Sequence, residues 1–109
     1  MIDTNFSAKN EYSDEVDKMR KNRVEISYYK YGPAKINFGE GLVKAKSSAE
    51  MCILKYEKTR NREYLLDAMN YLMFEFMYPS IEGTYFRATD SSESAGKDGL
   101  SYNELKNAK

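Results

Sequence analysis

Along residues 38–56 the apolar side chains Phe38, Leu42, Ala45, Ala49, Cys52 and Tyr56 recur at spacings of 4, 3, 4, 3 and 4, the interval at which side chains share one face of an α-helix. Lys44, Glu50, Lys55 and Glu57 fall on the other side, so the spacing predicts a core helix near 40–57 with one buried face. The stretch "NREYLLDAMNYLMFEFMYP", residues 61–79, is apolar nearly all round from Tyr64 to Tyr78, which marks a central helix packed on several sides. Asn61 is a candidate N-cap, and Pro79 ends the helix because the residue before a proline is driven towards extended backbone. Polar substitution at Leu65, Leu72 or Phe76 is expected to unfold it.

Upstream, residues 1–11 are polar and without period, and read as a mobile arm. Ser13 is a candidate N-cap, followed by Asp14, Glu15 and Asp17 where a helix dipole favours acids. Val24, Ile26 and Tyr28 alternate as a strand would, but nothing between Ser13 and Gly32 breaks a helix, so one is predicted near 14–30. Gly32-Pro33, Gly39 and Gly41 then punctuate the chain. Residues 79–100 read as irregular, with "TYFRAT" as one candidate short strand, and Ser101 with Glu104 has the spacing of a capping box before a short tail helix. The pattern as a whole predicts a mainly α fold. It is a compact three- to four-helix domain over residues 12–109, behind the arm and with an irregular C-terminal segment.

At 109 residues, one hydrophobic core is the size expectation. Histidine is absent, which removes the commonest general base and zinc ligand and any Ser-His or Cys-His nucleophile pair. The single Cys52 permits no internal disulfide and sits in the apolar stripe as a small buried side chain, so a reducing cytoplasm is the expected location. No apolar run is long enough to span a bilayer, and "MIDTNFSAKNEYSDE" lacks the features of a signal peptide, so neither secretion nor a membrane partner is expected. Net charge is zero but uneven: residues 18–46 carry eight basic and two acidic side chains, residues 1–17 five acidic and one basic. That polarity suits a charged partner surface, or solvated faces that pair within the fold.

Three groups could carry chemistry. At about 100° per residue, Glu63, Asp67 and Asn70 lie within about 60° of one another on the central helix. Joined by Glu40, Glu50 or Glu57, they could hold a hard ion such as Mg²⁺. Equally, the strip could be the helix's contact with water or pair with Lys44 or Arg62. The second group is "KMRKNRVEISYYKYGPAK". Here Lys18, Arg20, Lys21, Arg23 and Lys30 interleave with Tyr28 and Tyr29, a composition suited to a protein interface or to stacking on unpaired bases. The third is the acidic serine loop "ATDSSESAGKDG" with Asp90 and Glu93, preceded by Arg87, which could present acids to a basic groove. No phosphate-loop spacing exists in the chain.

Taken together, "KYGPAKINF", "EYLLDAMNYLMFEFMYP" and "FRATDSSES" resemble small proteins carried by bacteriophages and prophages of Gram-positive bacteria, over roughly residues 28–96. In size and apparent origin the chain is similar to anti-CRISPR proteins, several of which inhibit the type II RNA-guided nuclease. This likeness implies an inhibitor of a host defence system that acts by protein binding, without cofactor, on the nuclease or its nucleic-acid complex. The partner surface would then be Lys18, Arg20, Lys21, Arg23, Tyr28, Tyr29 and Lys30, with Arg87, Asp90 and Glu93 from the loop. A second likeness is to the helical core of MazG-type nucleotide pyrophosphohydrolases. It implies Mg²⁺ on Glu63 and Asp67, although the preceding helix offers only Glu50 and Glu57, seven apart. A homo-oligomer is a further alternative, since a dimer could bury the strip that a monomer leaves wet.

Overall fold

The structure, a computed structural model, describes residues 8–90, 92–93 and 106. Two units divide the chain, one spanning Tyr12–Thr84 and the other comprising Met1–Glu11 with Tyr85–Lys109. Within the second, α1 is a single helical turn at Ala8–Glu11. Residues 84–89, the "TYFRAT" segment, form no strand, and the rings of Tyr85 and Phe86 are exposed. A strand exists only when paired with a second strand, and among the described residues none is formed. The expected capping box at Ser101 and Glu104 lies outside the described residues.

The Tyr12–Thr84 unit holds α2 (Asp14–Tyr31), α3 (Ala34–Asn37), α4 (Ala45–Thr59) and α5 (Glu63–Met77). Helix α2 starts where the sequence expects it. The Ser13 hydroxyl oxygen accepts the Val16 N–H at 3.1 Å, and Asp14, Glu15 and Asp17 occupy the first turn. It stops at Gly32, whose φ of 90° is left-handed backbone open to glycine and whose N–H reaches the Tyr28 carbonyl. Asn37, at the end of α3, donates from Nδ2 to the Tyr31 carbonyl at 3.1 Å and to the Gly32 carbonyl at 3.5 Å. The last carbonyls of α2 are thus satisfied from the next element.

Helix α4 begins at Ala45, later than the apolar stripe suggests, because residues 38–43 form turns, with Gly41 at φ 75°. Leu42 is consequently exposed and outside the helix, whereas Phe38 returns to the core by stacking on Phe74, ring centroids 4.7 Å apart. Ala45 and Ala49, each 1% exposed, let α4 approach α5 closely as an antiparallel hairpin. Lys44 provides α4 with no side-chain cap; instead Glu75, at the far end of α5, accepts the Lys46 N–H at 3.1 Å. The same carboxylate accepts the Ser80 N–H at 2.7 Å and the Ser80 hydroxyl at 2.9 Å, which closes the turn around Pro79.

The N-cap of α5 is Arg62, one residue after the Asn61 that the sequence suggested, and Asn61 instead supports the helix start from just outside it, its Oδ1 accepting the Glu63 N–H at 3.0 Å. Buried on α5 are Leu66, Ala68, Asn70 and Phe74. Leu72 and Phe76 are exposed, contrary to the sequence expectation that both lie in the core. Two neighbours, α4 and α2, cover two sides of α5, so an apolar side chain on its remaining side is not thereby buried. No described helix is long and apolar enough to cross a membrane.

Candidate functional site

Helix α2 has no fully buried residue, although Val16 and Val24 are half-buried, and its most specific contacts with α5 are polar. The strip Glu63, Asp67, Asn70 faces α2, and two arginines of α2 reach into it. Arg23 makes a two-pronged contact with Asp67, Nε to Oδ1 at 2.5 Å and Nη2 to Oδ2 at 3.0 Å, while its Nη1 lies 3.3 Å from Glu63 Oε1. Paired parallel bonds between a planar guanidinium and a carboxylate fix orientation as well as distance. Hydrogen bonding to Asp67 raises the Arg23 pKa above its ordinary value, with the Asp67 and Glu63 charges adding to it against partial burial.

One turn away, Asn70 is 6% exposed and bonds through both ends of its amide: its Oδ1 accepts Arg20 Nε at 3.2 Å and its Nδ2 donates to the Arg20 carbonyl at 3.1 Å. Arg20 also contacts Met73 Sδ at 3.8 Å and Asp17 at 3.7 Å. The strip is therefore the polar seam of a helix pair. Neither Lys44 nor Arg62 is its partner, and Glu50 pairs instead with Lys46 at 3.3 Å.

This arrangement bears on a metal at the strip. Where an ion would sit between Glu63 and Asp67, the Arg23 guanidinium already bridges them, and among the described residues no third acid, histidine or cysteine completes a cluster. Oxygen donors that face a fixed cation do not fit Mg²⁺, which needs several oxygens turned to itself.

Of the seven residues expected on the basic-aromatic surface, Arg20 and Arg23 thus turn inwards. Lys18, Lys21, Tyr28, Tyr29 and Lys30 are exposed. The exposed lysines share α2 with the exposed acids Asp14, Glu15 and Glu25, so the helix surface is mixed in sign. At its C-terminal end the character changes to aromatic. Tyr28, Tyr29 and Tyr31 are 53%, 82% and 65% exposed, with Tyr28 and Tyr29 edge to face at 5.3 Å and Lys30 Nζ lying 5.2 Å from the Tyr31 ring centre.

Beside these rings a groove of about 560 Å³ opens between α2, the turn containing α3, and α5. Phe38, Tyr71 and Phe74 line it together with Tyr28, Tyr31 and the Arg23–Asp67 pair. Burial raises the Tyr71 pKa, with Cys52, Asp67 and Tyr31 contributing, so its phenol stays protonated in the neutral range. Cys52, half-buried nearby on α4, is likewise pushed up by burial and by Asp67, which leaves it a weak nucleophile. Sequence reasoning placed Tyr28 on this surface but missed the groove, because its lining comes from three separated segments. The only local signal was the aromatic share of each.

The loop candidates lie in the other unit, where they bond to one another. Arg87 reaches Glu93 with Nη2 to Oε2 at 2.5 Å, and Asp90 Oδ1 accepts the Ser92 N–H at 2.9 Å and its hydroxyl at 2.6 Å. These contacts hold both acids below their usual pKa values, Glu93 through Arg87 and Asp90 through Ser92. Compared with known protein families, with curated proteins and with solved structures, the chain finds no match.

Proposed function

We propose that this protein acts by binding a macromolecular partner and not by turnover, as a phage-derived inhibitor of a host-defence nuclease of the RNA-guided type II class. One observation carries the binding reading: the cluster Tyr28, Tyr29, Tyr31 stands in solvent around an open groove. Tyrosine supplies large, stiff, amphipathic contact area and is enriched at protein interfaces. The phage resemblance supports the choice of partner. The acids that the pyrophosphohydrolase reading needs are held by Arg23, so turnover has less support.

The test is target-DNA cleavage by a type II RNA-guided nuclease with increasing amounts of the protein, together with capture of the nuclease. Wild type should slow cleavage and Tyr29→Ala should not, with an unchanged fold by circular dichroism. Charge reversal is informative at Lys18 and Lys21 alone, because at Arg20 or Arg23 it also breaks the helix seam. A folded wild type that neither slows cleavage nor captures the nuclease overturns the proposal.

A further inference from the structure

The groove's chemistry follows from what its walls have already spent. Among the described residues two charged side chains line it, Arg23 and Asp67, and they are bonded to each other. Of its two carboxamides, Asn70 bonds to Arg20 through both Oδ1 and Nδ2, and Asn37 donates its Nδ2 to the end of α2, so neither brings a charge to the groove. The other lining residues carry no charge: they offer ring and aliphatic surface together with the neutral hydroxyls of Ser27, Tyr28, Tyr31 and Tyr71, with Phe38 stacked on Phe74 at 4.7 Å and edge to face with Tyr71 at 6.0 Å.

A phosphate or carboxylate entering here would lose water and gain no uncommitted cation. A lysine or arginine would find its one carboxylate already bridged. Either charged group would bear the full cost of leaving water, whereas an apolar group gains by leaving it. At about 560 Å³ the space is also within the usual range of ligand sites, about 300–1,000 Å³. Tyr28 and Tyr31 connect it to the exposed tyrosine cluster, so an object docking on that cluster can place a side chain into the groove.

We propose that the groove seats an uncharged aromatic side chain of the partner protein, as the anchor of the interface formed by Tyr28, Tyr29 and Tyr31. This rests on the binding function proposed above. Such anchors in desolvated pockets carry most of the energy of protein interfaces, while the surrounding contacts exclude water.

The experiment is a nitrogen–proton correlation NMR titration of the full chain with N-acetyl-tryptophan amide, and in parallel with AMP, inorganic phosphate and N-acetyl-lysine amide. The tryptophan probe should shift the amides of Val24, Ser27, Asn37, Val43 and Tyr71 in a saturable way, and the three charged probes should bind at least about tenfold more weakly. Val43→Asp, at the half-open rim, places an unpaired charge in the groove without touching the seam, and should reduce tryptophan-probe binding about tenfold with an unchanged fold. Phe38→Ala should do the same by removing a lining ring, and Val43→Asp serves where that variant does not fold. Preference for AMP, phosphate or the lysine probe overturns the assignment. So does the absence of groove shifts with the tryptophan probe.

The two proposals fail separately. A groove that ignores the aromatic probe, while Tyr29→Ala still abolishes nuclease capture, sinks this inference and leaves the binding function. Groove binding of the probe by a protein that captures no nuclease sinks the partner assignment and with it the protein origin of the anchor.

Discussion

Replacing Glu75 by alanine should cost the Tyr12–Thr84 unit about 2 kcal/mol, because one carboxylate serves both ends of the α4–α5 hairpin. As a tertiary cap it accepts the Lys46 N–H in the first turn of α4, and as a turn clamp it accepts the Ser80 N–H and hydroxyl. Losing a helix-cap acceptor costs about 1 kcal/mol. Removing a negative charge from a helix N-terminus costs about 0.5 kcal/mol more. The Ser80 bonds, at partial exposure, contribute about another 0.5 kcal/mol. Glu75→Gln keeps one acceptor oxygen and should cost about half as much.

The pH dependence supplies a second, independent check. Hydrogen bonding from the Ser80 N–H lowers the Glu75 pKa below its ordinary 4.5, with the Ser80 hydroxyl and the Lys46 N–H acting the same way and burial opposing. A depressed folded-state pKa means that the charged form contributes stability above the unfolded value of 4.5 and loses it as pH falls through the folded-state value. Wild type and Glu75→Gln should therefore differ fully near neutrality and converge on acidification. Urea unfolding followed by far-ultraviolet circular dichroism, at about pH 7 and about pH 3, measures both gaps, with an unchanged slope as the check that the unfolded state is comparable. A neutral-pH cost for Glu75→Ala below about 0.5 kcal/mol, the scatter of ordinary surface substitutions, would refute the capping argument. A gap between wild type and Glu75→Gln that widens in acid would refute the titration argument.

Asn70→Ala removes the bonds made to Arg20 Nε and to the Arg20 carbonyl, leaving the guanidinium only its weak Met73 Sδ contact on α5, and should lower stability by about 2 kcal/mol in the same assay. Arg60 sits at φ 66°, so Arg60→Gly should raise stability by about 1 kcal/mol by relieving left-handed backbone at the α4 C-cap. Cys52 should react with a thiol reagent more slowly in the folded protein than in urea, since burial raises its thiol pKa and half-covers the sulfur. Calorimetric titration with Mg²⁺ should give no binding heat. Heat that disappears in Glu63→Ala/Asp67→Ala would show that an ion displaces Arg23 and would restore the metal reading.

Features set by local chemistry were legible in the sequence. Ser13, Asn61 and Pro79 act on backbone within a few residues of themselves, and helices α2 and α5 begin and end close to where those residues place them. The start of α4 was not legible, because the 4-3-4 stripe runs unbroken from Phe38 across Gly39 and Gly41. Periodicity registers that Phe38 is apolar and in phase, but not that it reaches the core from a turn by stacking on Phe74, 36 positions away. The strand candidate "TYFRAT" failed for the converse reason. A strand is defined by its partner, and one short run does not say whether a partner strand exists.

The polar seam shows the same limit in its sharpest form. Spacing alone put Glu63, Asp67 and Asn70 on one face of α5, and composition alone put Lys18, Arg20, Lys21 and Arg23 in one basic cluster. The partner of Asp67 is 44 positions distant and that of Asn70 is 50, so no local window contains both halves. Counting charge over a segment treats all four bases as surface, whereas the fold divides them by helical face. Arg20 and Arg23, three apart, turn towards α5, and Lys18 and Lys21, also three apart, turn to solvent. The division also follows side-chain chemistry. A planar guanidinium can satisfy a carboxylate along two parallel bonds in a half-buried seam, while the more strongly hydrated ammonium of lysine is better left in water. Arg23→Lys should therefore weaken the α2–α5 seam although the charge is conserved, by about 1 kcal/mol for the second bond to Asp67 that a single ammonium makes less well.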